Sequence, residues 1–167
     1  MKRVLSFIIA INLISICHGQ DFASKFISTV TKKDLLHCQT ISPKMMEKLV
    51  KMPEHENKDG NEPEDSIIFL LSKLKSARIV TSEQFGKKFF KQAVKLIETN
   101  KNRFAPLSGH TESGNSQIFV RKHEDTIIEL VMLNYNSGED LFTIINFTGT
   151  MDNEFIRMLS KQKKEQD

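Results

Sequence analysis

Reactive side chains are few in this sequence, and their spacing gathers none of them into a recognisable catalytic or ligand set. Beyond the first nineteen residues the histidines are His37, His55, His110 and His123. None pairs with another at the i, i+4 spacing that sets two imidazoles on one helix face for a metal ion. His123 stands beside Glu124 and Asp125, but consecutive residues in a turn rarely converge as ligands. Ser108-Gly109-His110 brings a hydroxyl near an imidazole with no acid partner at an identifiable spacing. Cys38 lies next to His37, yet on a strand the two point to opposite faces. A reactive thiol needs a nearby base or cation, so Cys38 is expected to be a small buried hydrophobe. In the polar, mostly acidic stretch 54–65, Asn57, Asp59 and Gly60 fit the relative positions of a calcium loop. His55 at the first ligand position and Ser66 at the twelfth do not. A solvated loop is expected there. The chain has no glycine-rich phosphate loop, no nucleophile elbow and no paired-cysteine metal motif. No catalytic, cofactor-binding or metal-ligating residue is assigned, no cofactor is expected, and the chain is not expected to be an enzyme.

The first nineteen residues bear on location. Lys2 and Arg3 precede an apolar run from Val4 to Ile16, and Gly19 offers a small residue before Gln20. The run is shorter than the roughly 20 residues that span a bilayer, so residues 1–19 read as a secretory signal peptide and residues 20–167 as one domain. Export to the periplasm or cell envelope follows as an expectation. Cleavage leaves 148 residues, enough for a sizeable core, with no second apolar run to span a membrane. Lys2 and Arg3 leave with the leader, so 22 basic residues face 21 acidic ones. A mature charge near +1 argues against a dedicated nucleic-acid binder. Ile16 before Cys17 is a poor lipoprotein cleavage position, which makes a lipid anchor at Cys17 the disfavoured alternative to a cleaved product. Cys38 is then the only thiol left, and no internal disulfide can form.

The elements follow from periodicity and punctuation. Phe22, Phe26, Ile27 and Val30 predict a short helix over 21–30, followed by a strand at 35–41. Ser42-Pro43 opens a helix over 43–52, whose Met45, Met46, Leu49, Val50 and Met52 form an apolar face. A methionine-rich face reads as core before it reads as a binding surface. Residues 66–74 predict a short buried helix and 77–81 a strand. Ser82 is the expected cap of a helix over 83–99, with Phe85, Phe89, Ala93, Leu96 and Ile97 inward. Lys87, Lys91 and Lys95 repeat every fourth residue on another side, with Lys88 alongside. That stripe is expected to be solvated, with an anionic partner or lipid headgroups as the alternative. Strands are expected at 103–109, 117–122, 126–135 and 141–148, joined by turns that imply an antiparallel meander. Asp152 caps a last helix with Phe155, Ile156 and Leu159 inward.

Apart from Glu129, the strand Thr126–Tyr135 is apolar on both faces from Ile127 through Leu133, and Leu141–Phe147 likewise carries apolar groups on both sides. Helices on one side would leave the other side wet. Either the N-terminal segment covers that second face, or it meets a partner or a second copy.

Three segments carry a family resemblance: Leu74-Lys75-Ser76-Ala77-Arg78-Ile79-Val80; Gln117–Lys122 followed by Ile128–Leu133; and Phe142–Asp152, where a turn at Gly149 leads from strand into helix. On these the mature chain resembles the domain of unknown function 4252 family, small exported proteins and lipoproteins of Bacteroidetes-type bacteria. The resemblance implies no enzyme activity, cofactor or catalytic residue. It implies a companion of envelope sensing systems.

The sequence thus predicts one α+β domain: an antiparallel sheet of five to six strands, with helices packed mainly on one face, namely 43–52, 83–99 and 152–161. Its expected role is that of a non-enzymatic exported protein that binds an envelope protein or itself. The rival readings are a carrier of an apolar ligand, suggested by twelve phenylalanines, and a hydrolase with an unrecognised site around His110 or His123.

Overall fold

Alternating apolar side chains, interrupted by short turns, produce six strands in one antiparallel sheet. The structure, a computed structural model, describes residues 20–50, 69–107 and 114–164. The strands are β1 (His37–Ile41), β2 (Leu74–Ser82), β3 (Ala105–Pro106), β4 (Ser116–His123), β5 (Thr126–Asn136) and β6 (Leu141–Met151). Their order is β1-β2-β6-β5-β4-β3. The meander of β4, β5 and β6 follows the sequence, and β2 closes onto the far side of β6. Among the described residues, four helices of eight residues or more accompany the sheet: α1 (Phe22–Thr29), α2 (Pro43–Val50), α3 (Gly86–Thr99) and α4 (Asn153–Lys164). This is the α+β architecture expected. The stretch 54–65 expected to be a loop, His55 within it, the expected signal peptide 1–19 and Ser108-Gly109-His110 lie outside the described residues.

Both faces of the sheet carry a core. On the first, Val80, Phe119, Val131, Leu133, Phe142 and Ile144 meet Phe22, Phe26 and Val30 near α1 and Phe89, Phe90, Ala93 and Ile97 of α3. On the second, Ile118, Val120, Ile127, Leu130 and Met151 meet Leu70 and Phe155 of α4. The last helix therefore packs opposite α3, not beside it as expected. The N-terminal helix joins α3 rather than covering the second face. Doubly apolar strands require this arrangement, because an open second face would leave their side chains in water.

A bulge adjusts which residues reach which face. The β4–β5 register shifts between Glu129, opposite Arg121, and Ile127, opposite Lys122. One extra residue moves Ile127 to the second core while Glu129 stays on the first face. Strict alternation would have put both on one face.

The ends of α3 and α4 show two kinds of cap. Asp152 Oδ1 accepts the Phe155 N–H at 2.9 Å, the local cap read from the sequence. Ser82 does not cap α3. Its hydroxyl donates to the Gln84 carbonyl at 2.8 Å, and the helix starts later, after Phe85 in the left-handed region at φ 57°. Asp140, from the β5–β6 turn, supplies the acceptor instead: its Oδ1 takes the Lys87 N–H at 3.2 Å. Phe85 is consequently outside the core, 45% exposed, with the Lys32 ammonium 4.0 Å above its ring. Gly149 does not turn into a helix either. It lies within β6, where an added Cβ would stand 2.2 Å from the Lys73 carbonyl oxygen.

The Lys87 N–H holds the Asp140 carboxyl below its ordinary value of 3.8. Lys73 does the same for Asp152, aided by the Phe155 N–H. A carboxylate depressed in the fold stabilises fully above its unfolded pKa, and that contribution is lost as pH falls through the folded value. Asp140→Asn and Asp152→Asn are expected to lower stability at neutral pH and to flatten its fall below pH ~4. Urea midpoints at pH 7 and pH 3 check this. Gly149→Ala is expected to cost about 1–3 kcal/mol through the forced backbone shift, read from urea unfolding.

Candidate functional site

The one carboxylate in the doubly apolar strand β5 organises the most elaborate polar site among the described residues. Glu129 is fully buried, 0% exposed. Its Oε2 accepts Arg121 Nε at 2.8 Å and Arg121 Nη2 at 2.7 Å, from the position directly opposite on β4. Two guanidinium nitrogens thus converge on a single carboxylate oxygen in a charge-assisted contact. Its Oε1 accepts the Phe22 N–H at 2.6 Å and the Asn146 side-chain amide at 3.1 Å. Asn146, 1% exposed on β6, turns its own Oδ1 to the Ala23 N–H at 2.9 Å.

Those donors belong to the first turn of α1. A helix leaves its first N–H groups without internal partners. Here Glu129 takes that of Phe22, Asn146 that of Ala23, and the cap residue Asp21 that of Ser24 at 2.8 Å. Asp21 Oδ1 also accepts Arg78 Nη1 at 2.9 Å, and the same nitrogen donates to the Ser24 hydroxyl. Arg78 Nε donates to Thr40 on β1 at 3.1 Å. Thr40, Arg78 and Asn146 are cross-strand neighbours. In the adjacent register row Ser76, Thr148, Glu129 and Arg121 follow one another across β2, β6, β5 and β4. Ser76 and Thr148 share a 2.7 Å hydrogen bond, and the Asn146–Glu129 bond joins the two rows. Every buried side-chain nitrogen and oxygen among the described residues has a partner. Chemically the two rows bind a helix N-terminus: negative and amide oxygens face orphan N–H groups at the positive end of the helix.

The aromatic residues of α1 complete the seat. The Phe22 ring meets Phe104 edge-on at 5.7 Å, and Phe26 stands 5.5 Å from Phe142 and 6.5 Å from Phe89. Lys25 ties the outer side of α1 to Asn100, at the end of α3, at 2.8 Å.

The residues singled out earlier fall elsewhere. Cys38 is exposed on the edge strand β1, 3.8 Å from Thr40 Oγ1, and is not a buried hydrophobe. An edge position, which topology decides, leaves it without a covering layer. His37 and His123 are exposed. Among the described residues no three His, Cys, Asp or Glu side chains are placed to share a metal ion. Met46 is buried at 3%, whereas Met45 is 50% exposed. Lys87, Lys88, Lys91 and Lys95 are exposed and, with Gln92, line an open furrow of 460 Å³ on α3. A second groove, of 360 Å³, runs beside it from Phe90 to Gln117. No helix of the described residues is long and apolar enough to cross a membrane.

Glu129, Asn146 and Arg121 were not identified as a site from the sequence. The signal was present as the lone charge in an otherwise apolar strand. Glu129→Ala is expected to destabilise by about 2–4 kcal/mol, because the Phe22 N–H and Arg121 both lose their acceptor. Glu129→Gln keeps an acceptor for Phe22 and is expected to cost less. Denaturant midpoints of the two variants give the comparison.

Neither a curated protein nor a solved structure matches the chain. A family profile described as Domain of unknown function (DUF4252) matches residues 30–159, well over half of the sequence. The match takes in all six strands and begins at Val30, directly after α1. The three segments that carry the resemblance lie inside it. The chain therefore belongs to the DUF4252 family, a domain of unknown function.

Proposed function

We propose that this protein is a non-enzymatic binding module that works outside the cytoplasm and takes another envelope protein on the β1 side of its second sheet face. The leader-like residues 1–19 support the location. The observation that carries the binding role is a cross-strand row, Ile79 on β2, Ile145 on β6 and Met132 on β5, in direct register. Ile79 is 36% exposed and the other two are half-buried, although all three sit centrally in the sheet. Apolar side chains at the middle of a sheet gain by being covered. The row ends at β1, an edge strand whose outer backbone groups are open to another strand. An apolar strip beside an open edge suits a protein segment better than a small molecule. A partner in envelope sensing fits the location and the size.

Cross-linked affinity capture of the tagged mature chain from its native envelope tests this reading. One reproducible envelope protein is expected, with cross-links near Gln39 and Ile79. Ile79→Asp is expected to abolish capture while unfolding remains cooperative, since the side chain is already part-exposed. Capture that is unchanged in Ile79→Asp, or no protein above background, overturns the proposal.

A further inference from the structure

Helix α1 is held at its start by three side chains from the sheet. Its first two N–H groups are taken by side chains of the sheet, Glu129 and Asn146, rather than by residues near it in sequence. Its cap Asp21 is itself gripped by Arg78 of β2. Phe22 and Phe26, one helical turn apart, enter an aromatic pocket formed by Phe89, Phe104 and Phe142, and Val30 enters the same core. This is the geometry of an amphipathic helix laid in a groove, with anchors at i, i+4 and i+8 and a polar reader at one end. One covalent link joins α1 to the sheet, and its residues Thr31 to Asp34 are all exposed. The family match starts only at Val30.

We propose that the slot between α3 and the sheet is a helix-recognition groove, with α1 as its resident ligand, and that α1 of a second copy of this chain takes the same seat in exchange. A second copy is the occupant the chemistry specifies. The groove asks for an acceptor-capped first turn, small Ala23 against Asn146, and phenylalanine at the first and fifth helical positions; α1 presents that set. In a swapped pair every contact of the monomer is re-formed, so the exchange costs little beyond the opening of the Thr31–Asp34 link. The groove lies on the sheet face opposite the Ile79 row, so this self-association is separate from the binding role proposed above.

The test uses the full mature chain. Two isotopically distinct batches are mixed at high concentration in mild urea, returned to buffer and read by native mass spectrometry. Mixed dimers are expected, and a synthetic peptide of residues 20–31 in excess is expected to convert them to peptide-bound monomers. In a Phe26→Ala chain, whose own helix is weakened, the wild-type peptide is expected to bind saturably. A peptide carrying Phe26→Ala is expected to bind about tenfold more weakly or worse, as loss of a buried aromatic anchor implies. If the Phe26→Ala chain unfolds, the peptide is expected to restore its cooperative transition. Absence of mixed dimers overturns the proposal, including the case where the peptide binds and the occupant is a helix of another protein. Failure of the peptide to bind or to restore folding overturns the groove itself.

Discussion

The fold turns on one buried carboxylate. Glu129 is fully buried in an inner strand, flanked along the chain by Ile128 and Leu130, and an unpaired charge there would cost several kcal/mol. The surroundings remove that cost from two sides. Arg121 holds one oxygen through two nitrogens, and the start of α1 with Asn146 holds the other. An apolar residue of equal volume would spare the desolvation but would leave the Phe22 N–H and the Arg121 guanidinium without this acceptor. The carboxylate therefore acts as an address for the helix. A slip of α1 by one turn would break the Phe22 and Ala23 hydrogen bonds and also draw Phe26 out of the aromatic pocket. Polar and apolar contacts fix the same register.

That address depends on the bulge in β5. Without the shift between Ile127 and Glu129, the strand would keep strict alternation and Ile127 would share the face of Glu129. A second irregularity, between Leu74 and Ser76 in β2, lies at the same end of the sheet. There Leu74 joins the second core, while Ser76 meets Thr148 on the first face. Between the two bulges runs β6, and its Gly149 lets the Lys73 carbonyl approach closely enough to accept the Thr150 N–H at 2.9 Å. The end of the sheet that receives α1 is thus also where strand regularity is broken, which turns polar side chains toward the helix and apolar ones away from it.

Much of this architecture was readable from residue order alone, and the exceptions share a cause. The antiparallel meander of β4, β5 and β6, the cap Asp152, and the inward faces of α1 and α3 each rest on interactions within a few residues, which spacing reports well. Asp140 caps α3 from a turn more than fifty residues away, and no local pattern announces it. Cys38 was expected to be buried because a thiol without an activating base or cation behaves as a small hydrophobe, but whether a strand is central or at an edge is set by sheet order. Phe85 fits the apolar stripe of α3 by period and lies outside it because the helix starts one residue later, after a left-handed turn. The placement of α4 on the second face follows from where β6 ends, not from the pattern of α4 itself. Glu129 was visible only as an anomaly, and its meaning required the helix that packs on it.

The two faces of the sheet are closed by different means, and this bears on how the protein meets others. The first face is sealed by the chain's own N-terminal helix, located by charge and hydrogen bonds as well as by phenylalanine. Such a closure is specific in register: a helix whose first turn lay elsewhere would leave Glu129 and Asn146 short of donors. The second face is closed by Leu70 and by Phe155 of α4 through apolar contact, and its closure weakens toward β1, where Ile79 stands exposed. Apolar contact without buried polar partners sets few conditions on what lies against it. In the proposed binding role, selectivity on that side would come from the backbone of the β1 edge, whereas the first face carries its selectivity in Glu129 and Asn146. The proposed self-association and the proposed attachment to another chain would then rest on different faces and different physical terms.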